Sequence, residues 1–131
     1  MHCIVAGYLP AGFSATGLEV NKATKDEPGN YTITYTKSKS EFIVEMASEG
    51  IGSGDPVDEE GFSYRYRKVH TALLGKTEVV IADKGSEHHW DIEWVDLGRK
   101  KVPRFVCVIG HYLSGDEGVK IVKGLTWLAH R

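Results

Sequence analysis

The stretch PRFVCVIGHYLSGDEGVKIVKGLTWLA, residues 103–129, decides the fold, because it joins a buried strand to the only long helix that the sequence predicts. Ser114 precedes the helix and Glu117 follows three residues later. This is the spacing of a capping box, in which each side chain satisfies the backbone N–H at the other position. Beyond the cap, apolar residues recur at helical spacing and predict one buried stripe. The stripe consists of Gly118, Ile121, Val122, Leu125, Leu128 and Ala129.

The segment before this helix predicts a central strand, because both of its faces are apolar. Phe105, Cys107 and Ile109 share one face, and Val106 and Val108 share the other. A strand at a sheet edge, or one with a solvated face, would alternate apolar with polar residues instead. We therefore expect the helix to cover one side of this strand.

The rest of the chain predicts strands. A period of two in apolar residues marks segments 16–22, 30–48, 63–70, 76–83 and 88–94, and the second of these contains a polar break that predicts a hairpin. The fold class is therefore α+β: a curved antiparallel β-sheet of about five to seven strands packed against one C-terminal α-helix. A chain of 131 residues fits one domain, 1–131, and its apolar start, CIVAGYLPAGF, suggests excision from a longer protein.

Composition argues against several classes of partner. The chain has 16 Lys+Arg and 18 Asp+Glu, a net charge of −2, which gives no field that favours nucleic acid. No stretch approaches the roughly 20 apolar residues of a membrane span, so we predict no membrane insertion by this segment. Cys3 and Cys107 fit no metal-ligand spacing, and they are interpreted as two buried thiols, with a disulfide as the alternative. The oligomeric state is not specified.

Aromatic residues on the predicted strands suggest a binding surface. If the sheet is concave, these rings line a groove for a peptide, a lipid or a partner protein. The alternative for each ring is that it belongs to the core, where aromatic side chains contribute most of their packing energy. The candidate ligand-binding residues are Tyr31, Tyr35, Tyr64, Tyr66, Trp90 and Trp94.

Titratable residues suggest a weaker, enzymatic alternative. His89, Asp91 and Glu93 share one face of the predicted strand 88–94, next to His88, and His111 follows the central strand. A metal needs three or four convergent ligands, and this row has no clear further donor, so we predict neither a metal site nor a cofactor. The acidic loop 48–61 lacks the ligand spacing of an EF-hand and is interpreted as solvated.

No catalytic motif accompanies these residues. The sequence contains no G-x-S-x-G, no H-E-x-x-H and no phosphate-binding glycine loop, so we predict no catalytic residues. The preferred interpretation is a non-catalytic binding or sensing domain. The alternatives are a small enzyme or metal-dependent hydrolase that uses the strand from His88 to Glu93, and a purely structural spacer domain.

Several segments together resemble a bacterial family of domains of unknown function, DUF4367. The similarity covers YLPAGF, GLEV, the hairpin YTITYTKSKSEFIVEM, the strand after LLGKTE, an IEW strand and the ending FVCVIGHYLSGDEGVKIVKGL. The ending matches best, at Ile109, Gly110, Leu113, Ser114, Val122, Gly124 and Leu125. The resemblance implies a non-enzymatic, extracytoplasmic domain of a bacterial envelope protein, of the kind found in lipoproteins or anti-sigma-like regulators, and it implies no catalytic residues.

Overall fold

The computed structural model describes residues 4–21, 30–47, 65–70, 78–83, 89–92, 95–96 and 105–127. This described part of the chain holds ten strands and one helix. The elements are β1 (Ile4–Ala6), β2 (Ser14–Asn21), β3 (Asn30–Lys37), β4 (Ser40–Ala47), β5 (Arg65–His70), β6 (Glu78–Asp83), β7 (Trp90–Ile92), β8 (Val95–Asp96), β9 (Phe105–His111), α1 (Gly115–Lys123) and β10 (Leu125–Trp127).

Most of these strands belong to one antiparallel sheet. Seven follow one another in the order β2-β3-β4-β9-β7-β6-β5, β8 pairs with β9, and β1 and β10 form a separate two-stranded ribbon. Every described strand pair is antiparallel. The α+β class with an antiparallel sheet and one helix is therefore confirmed, although the sheet is not strongly curled.

The hairpin of β3 and β4 shows why the alternating sequence folds as it does. Tyr31 and Tyr35 are buried on the face of β3 that looks toward the helix, while the intervening threonines occupy the opposite face. Lys37 pairs with Ser40, so only two residues form the turn. Ser38 has a φ of 52°, the left-handed conformation that such short turns require. The predicted hairpin is confirmed.

β9 occupies the centre of the sheet, as its two apolar faces predict. It lies between β4 on one side and β7 and β8 on the other. Val106 and Val108 are fully buried in the core under the helix, and Cys107 is buried on the opposite face. A strand enclosed in this way gains hydrophobic stabilisation from both faces, which explains the loss of the polar alternation.

The predicted cap at the start of α1 is confirmed in one direction. The side chain of Ser114 accepts a hydrogen bond from the backbone N–H of Glu117 at 3.3 Å. The Glu117 carboxylate accepts a hydrogen bond from the Tyr8 hydroxyl at 2.9 Å and lies 3.8 Å from the Lys120 ammonium. Glu117 therefore ties the helix to the N-terminal segment, and its hydrogen bond raises the pKa of Tyr8.

The predicted length of the helix is wrong. α1 ends at Lys123, and Leu125 lies in β10, which pairs with β1. The Gly124 carbonyl accepts a hydrogen bond from the Gly7 N–H at 2.8 Å, so the chain leaves the helix to join the N-terminal strand. An apolar residue such as Leu125 would be buried in a helix or in a strand. The apolar stripe therefore does not show where the helix ends. Leu128 and Ala129, the last members of the predicted stripe, lie outside the described residues.

The core lies between the helix-facing side of the sheet, α1 and the β1–β10 ribbon. Phe13 and Tyr8 of the N-terminal segment pack against it, whereas Leu9 is 40% exposed. The acidic loop 48–61 and Cys3 lie outside the described residues, and Cys107 is a free thiol. The buried core residues are Ile4, Tyr31, Tyr35, Phe42, Val44, Met46, Trp90, Ile92, Val106, Val108, Leu113, Ile121, Val122 and Leu125.

No helix among the described residues has both the length and the hydrophobicity needed to cross a membrane.

Candidate functional site

The aromatic residues predicted to bind a ligand divide between the core and regions where side chains are not described. Tyr31 is 3% exposed, Tyr35 is 5% exposed and Trp90 is completely buried. These three rings therefore belong to the core, and other parts of the chain cover their faces. Tyr66 lies in β5, and its side chain is outside the described set, as are Tyr64 and Trp94. The aromatic binding face stays a prediction for those three.

Two of the buried tyrosines bond the backbone of β1. The Ile4 N–H donates to the Tyr31 hydroxyl at 2.7 Å, and the Ala6 N–H donates to the Tyr35 hydroxyl at 3.2 Å. β1 has β10 as its strand partner on one side, so the phenol oxygens take the place of a second strand on the other. Tyr31 and Tyr35 therefore satisfy buried donors that would otherwise cost free energy, which is a structural role.

Trp90 lies between the sheet and the helix, and a glycine, which has no side chain, lies next to it on each side. Gly110 is its direct partner across the strands, and Gly118 on α1 approaches the indole from the helix side. A Cβ atom built at Gly118 would lie 2.7 Å from the indole ring, and one at Gly110 would also overlap it. The indole Nε1 finds no hydrogen-bond acceptor among the described residues. Trp90 therefore contributes packing between the two elements.

The candidate titratable residues converge in part on the opposite face of the sheet. The Nδ1 atoms of His89 and His111 lie 3.0 Å apart, and the ring centroids are separated by 4.6 Å. Asp91 Oδ2 lies 3.8 Å from Nε2, the other ring nitrogen of His89. The facing nitrogens form one hydrogen bond, so one of them carries the proton and the other accepts it. The arrangement is a hydrogen-bonded histidine pair with a carboxylate nearby, and Asp91 lies beyond hydrogen-bond distance of His89.

The same cluster gives little support to the metal-dependent alternative. Asp91 approaches the far nitrogen of His89, so it does not meet the two Nδ1 atoms at a common point. Within the described residues, no three His, Cys, Asp or Glu side chains are arranged to hold a metal ion. His88 and Glu93 lie outside these residues. That the protein carries no metal stays a prediction.

Cys107 lies on the same face as the histidines but is not a nucleophile in this conformation. Its side chain is 6% exposed, and its Sγ donates to the Ile92 carbonyl at 3.4 Å. Burial, followed by the charges of Glu45 and Asp91, raises the pKa of the thiol to about 12. The thiolate needed for attack is therefore scarce at neutral pH.

A further surface, which the sequence analysis did not identify as functional, lies at the edge of the sheet. β2 ends the strand order, and all eight of its residues are exposed. Leu18 is 69% exposed and Val20 is 48% exposed. They pair with Ile33 and Tyr31 of β3, so they lie on the core-facing side of the sheet. At β2, this side of the sheet is exposed to solvent. Sequence alternation predicts a strand here, but nothing in it indicates which strand becomes an edge.

Comparison with known proteins identifies no relative of this chain. No protein family, no curated protein and no solved structure matches the chain.

Proposed function

We propose that this chain is a non-catalytic binding domain that takes up an extended segment of a partner protein along β2. The proposal rests on one observation: β2 is an eight-residue edge strand, exposed along its whole length, that presents Leu18 and Val20 to solvent. Half of the backbone N–H and C=O groups of an edge strand point away from the sheet and are free to pair with an added strand.

The composition of β2 supports this use of the edge. Natural proteins usually protect sheet edges with charged residues, especially lysine, or with proline. SATGLEVN contains one charged residue, Glu19, and no proline. The sheet's other edge, β5, has the sequence RYRKVH and is rich in cations. A shift in register between Ala15 and Gly17 interrupts only the first part of β2 and leaves the pairing of 17–21 with β3 regular. The less protected edge is therefore the better candidate for strand addition.

The resemblance to DUF4367 supports a location outside the cytoplasmic membrane, in the bacterial cell envelope. The concave aromatic surface expected from the sequence is a less favoured site, because Tyr31, Tyr35 and Trp90 are buried. A lipid ligand is less favoured for the same reason, and Leu18 and Val20 offer it only a narrow strand edge. A spacer domain has no need of an exposed apolar edge, which argues against the structural alternative.

The enzymatic alternative has one observation in its favour, the hydrogen bond between His89 and His111, with Asp91 Oδ2 3.8 Å from His89. A hydrogen-bonded histidine pair can relay a proton where a nucleophile or a bound water stands at its end. Cys107, which lies on this face, is buried and its thiol has a raised pKa. The binding function is therefore the better supported of the two.

Selection from a library of displayed linear peptides tests the proposal. We expect the intact chain to enrich peptides in which apolar residues alternate with polar ones, and we expect bound peptide to slow amide hydrogen exchange in β2. The variant Leu18→Lys should weaken binding at least about tenfold, because a lysine on the edge opposes strand addition. Leu9→Lys is the matched control, since Leu9 is an exposed leucine outside β2, and it should leave affinity within about twofold.

Two results would refute strand addition at β2. One is the absence of any enriched peptide in the selection on the intact chain. The other is enrichment of peptides that bind Leu18→Lys as tightly as the wild type and that leave exchange in β2 unchanged.

A further inference from the structure

The outer face of β2, opposite to Leu18 and Val20, carries a negative charge that no cation among the described residues pairs with. Glu19 is exposed and pairs with Thr32 of β3, which in turn pairs with Glu45 of β4. The two carboxylates therefore lie in one row across three strands, separated by a threonine. No ion pair joins Glu19 or Glu45 to a cation within the described part of the chain.

The charge of Glu19 also acts on Glu45. Burial first, and then the negative charge of Glu19, raises the pKa of Glu45. A cation placed beside this row would relieve the repulsion, and a strand added at the edge would place its side chains directly opposite those of β2.

The pattern of side chains on β2 then specifies the chemistry of the added strand. Leu18 and Val20 point to one side of the sheet, and Glu19, between them, points to the other. The residues opposite Leu18 and Val20 gain most if they are apolar, and the residue between them gains most if it is cationic. We propose, building on the proposed function, that the partner segment of β2 is an extended strand with the pattern apolar, Lys or Arg, apolar, whose cation lies opposite Glu19.

A second copy of β2 is a poorer occupant of the same edge. If two copies pair antiparallel about Glu19, the two glutamates face each other, and like charges directly opposite are destabilising. If they pair about Leu18, each Glu19 faces Gly17 of the other copy. β2 contains neither lysine nor arginine, so self-pairing in either register leaves Glu19 uncompensated.

Three synthetic peptides test the charge pattern. They share one framework of alternating valine and threonine, and they differ only at a central position on the threonine side, which is Lys, Gln or Glu. Fluorescence anisotropy at low salt should show the Lys peptide binding the wild-type chain about 3- to 10-fold more tightly than the Glu peptide. The Gln peptide should fall between them, and added salt should reduce the difference.

Substitution at Glu19 separates charge recognition from general strand affinity. Glu19→Gln should abolish the preference among the three peptides, and Glu19→Lys should reverse it in favour of the Glu peptide. Glu19 is exposed, so both variants should keep the far-UV circular dichroism spectrum of the wild type. Glu41→Gln is the matched control, because Glu41 lies on β4, opposite Thr36 and His111, away from the edge. It should keep the wild-type order of affinities.

The outcomes distinguish this inference from the function on which it rests. If none of the three peptides binds, strand addition at β2 fails, and the charge pattern fails with it. If all three bind equally and lose affinity in Leu18→Lys, strand addition stands and the cationic partner is refuted. A wild-type chain that sediments as an oligomer, and that becomes monomeric in Leu18→Lys, would show a second copy on the edge and would also refute the cationic partner.

Discussion

At the scale of single residues, two glycines determine how the sheet and helix meet. Gly110 and Gly118 flank the indole of Trp90, and a Cβ at either position would overlap the ring. Large and small residues thus alternate across the interface, as close packing requires. Glycine in a helix costs about 1 kcal/mol relative to alanine, so its presence at 118 reflects this contact and not helix propensity.

Gly118→Ala should therefore destabilise the protein, although alanine is the better helix former. We expect a loss of about 1 to 3 kcal/mol in the free energy of unfolding, because the new methyl group has no space beside Trp90. Urea denaturation measures it. Gly17→Ala is the control, since a Cβ there would lie 3.5 Å from Thr34, an ordinary contact distance. A Gly118→Ala protein as stable as the wild type would show that the helix does not approach the indole this closely.

Cys107 gives a second prediction at this scale, in its reactivity and in its pH dependence. The folded-state pKa of about 12 lies above the ordinary value of 9.0, so the thiol stays neutral in the folded protein. We expect iodoacetamide to modify Cys107 at least about tenfold more slowly in the native chain than in urea, as measured by mass spectrometry of its peptide.

The same shift links stability to pH. A raised pKa contributes stability in full below the unfolded value of 9.0, and this contribution is lost as the pH rises toward about 12. The stability advantage of wild type over Cys107→Ala should therefore shrink as the pH increases through this window. Rapid alkylation of native Cys107 at neutral pH, or an advantage that does not change with pH, would contradict the buried, neutral thiol.

At the scale of elements, helix α1 and strand β10 give an ordered series of stabilities. Leu125 is 5% exposed, so Leu125→Ala should cost about 2 to 5 kcal/mol through lost burial and a cavity. Ser114→Ala removes the N-cap and should cost about 1 kcal/mol. Lys120→Ala should be within about 0.5 kcal/mol of neutral, because its side chain is 60% exposed and its pair with Glu117 is weak.

Denaturant melts of the three variants measure this order, which matters more than the individual values. If Lys120→Ala lost the most free energy of unfolding, or if Leu125→Ala lost none, the segment 114–127 would pack with its other face toward the sheet.

The sequence predicts some elements well and others poorly, for physical reasons. Alternation finds the hairpin β3–β4, and two apolar faces find β9, because side-chain burial repeats at the period of the strand. The apolar pattern does not locate the end of α1, because an apolar residue such as Leu125 would be buried in either a helix or a strand. Gly124, which follows Lys123 at the helix end, is the signal that could have located it.

The candidate site is less predictable than the elements. The alternation of 88–94 correctly separates buried Trp90 from His89 on the other face, but it does not bring His111 beside His89. That contact depends on which strands become neighbours in the sheet. In the same way, the strand order decides which strand becomes the exposed edge. It also decides which aromatic rings become part of the core.

At the scale of the whole molecule, the two ends of the described chain are joined. β1 pairs with β10, the Tyr8 hydroxyl donates to Glu117, and Gly7 bonds the Gly124 carbonyl. The Tyr31 hydroxyl links this ribbon to β3 of the large sheet through Ile4. The ribbon, the helix and the sheet therefore share one set of buried contacts, and we expect them to unfold together.

This expectation is tested by following urea denaturation with two probes. Tryptophan fluorescence reports on all three tryptophans, among them Trp90 between sheet and helix and Trp127 in β10, and far-UV circular dichroism reports on the backbone. The two transitions should coincide. Tyr31→Phe should shift both equally, by about 1 to 3 kcal/mol, because it leaves the buried Ile4 N–H without its acceptor. Thr36→Val, which removes an exposed hydroxyl bonded to Thr16, should change stability by less than about 0.5 kcal/mol. If Tyr31→Phe moved only one of the two transitions, the ribbon would unfold independently of the sheet, and the chain would comprise more than one cooperative unit.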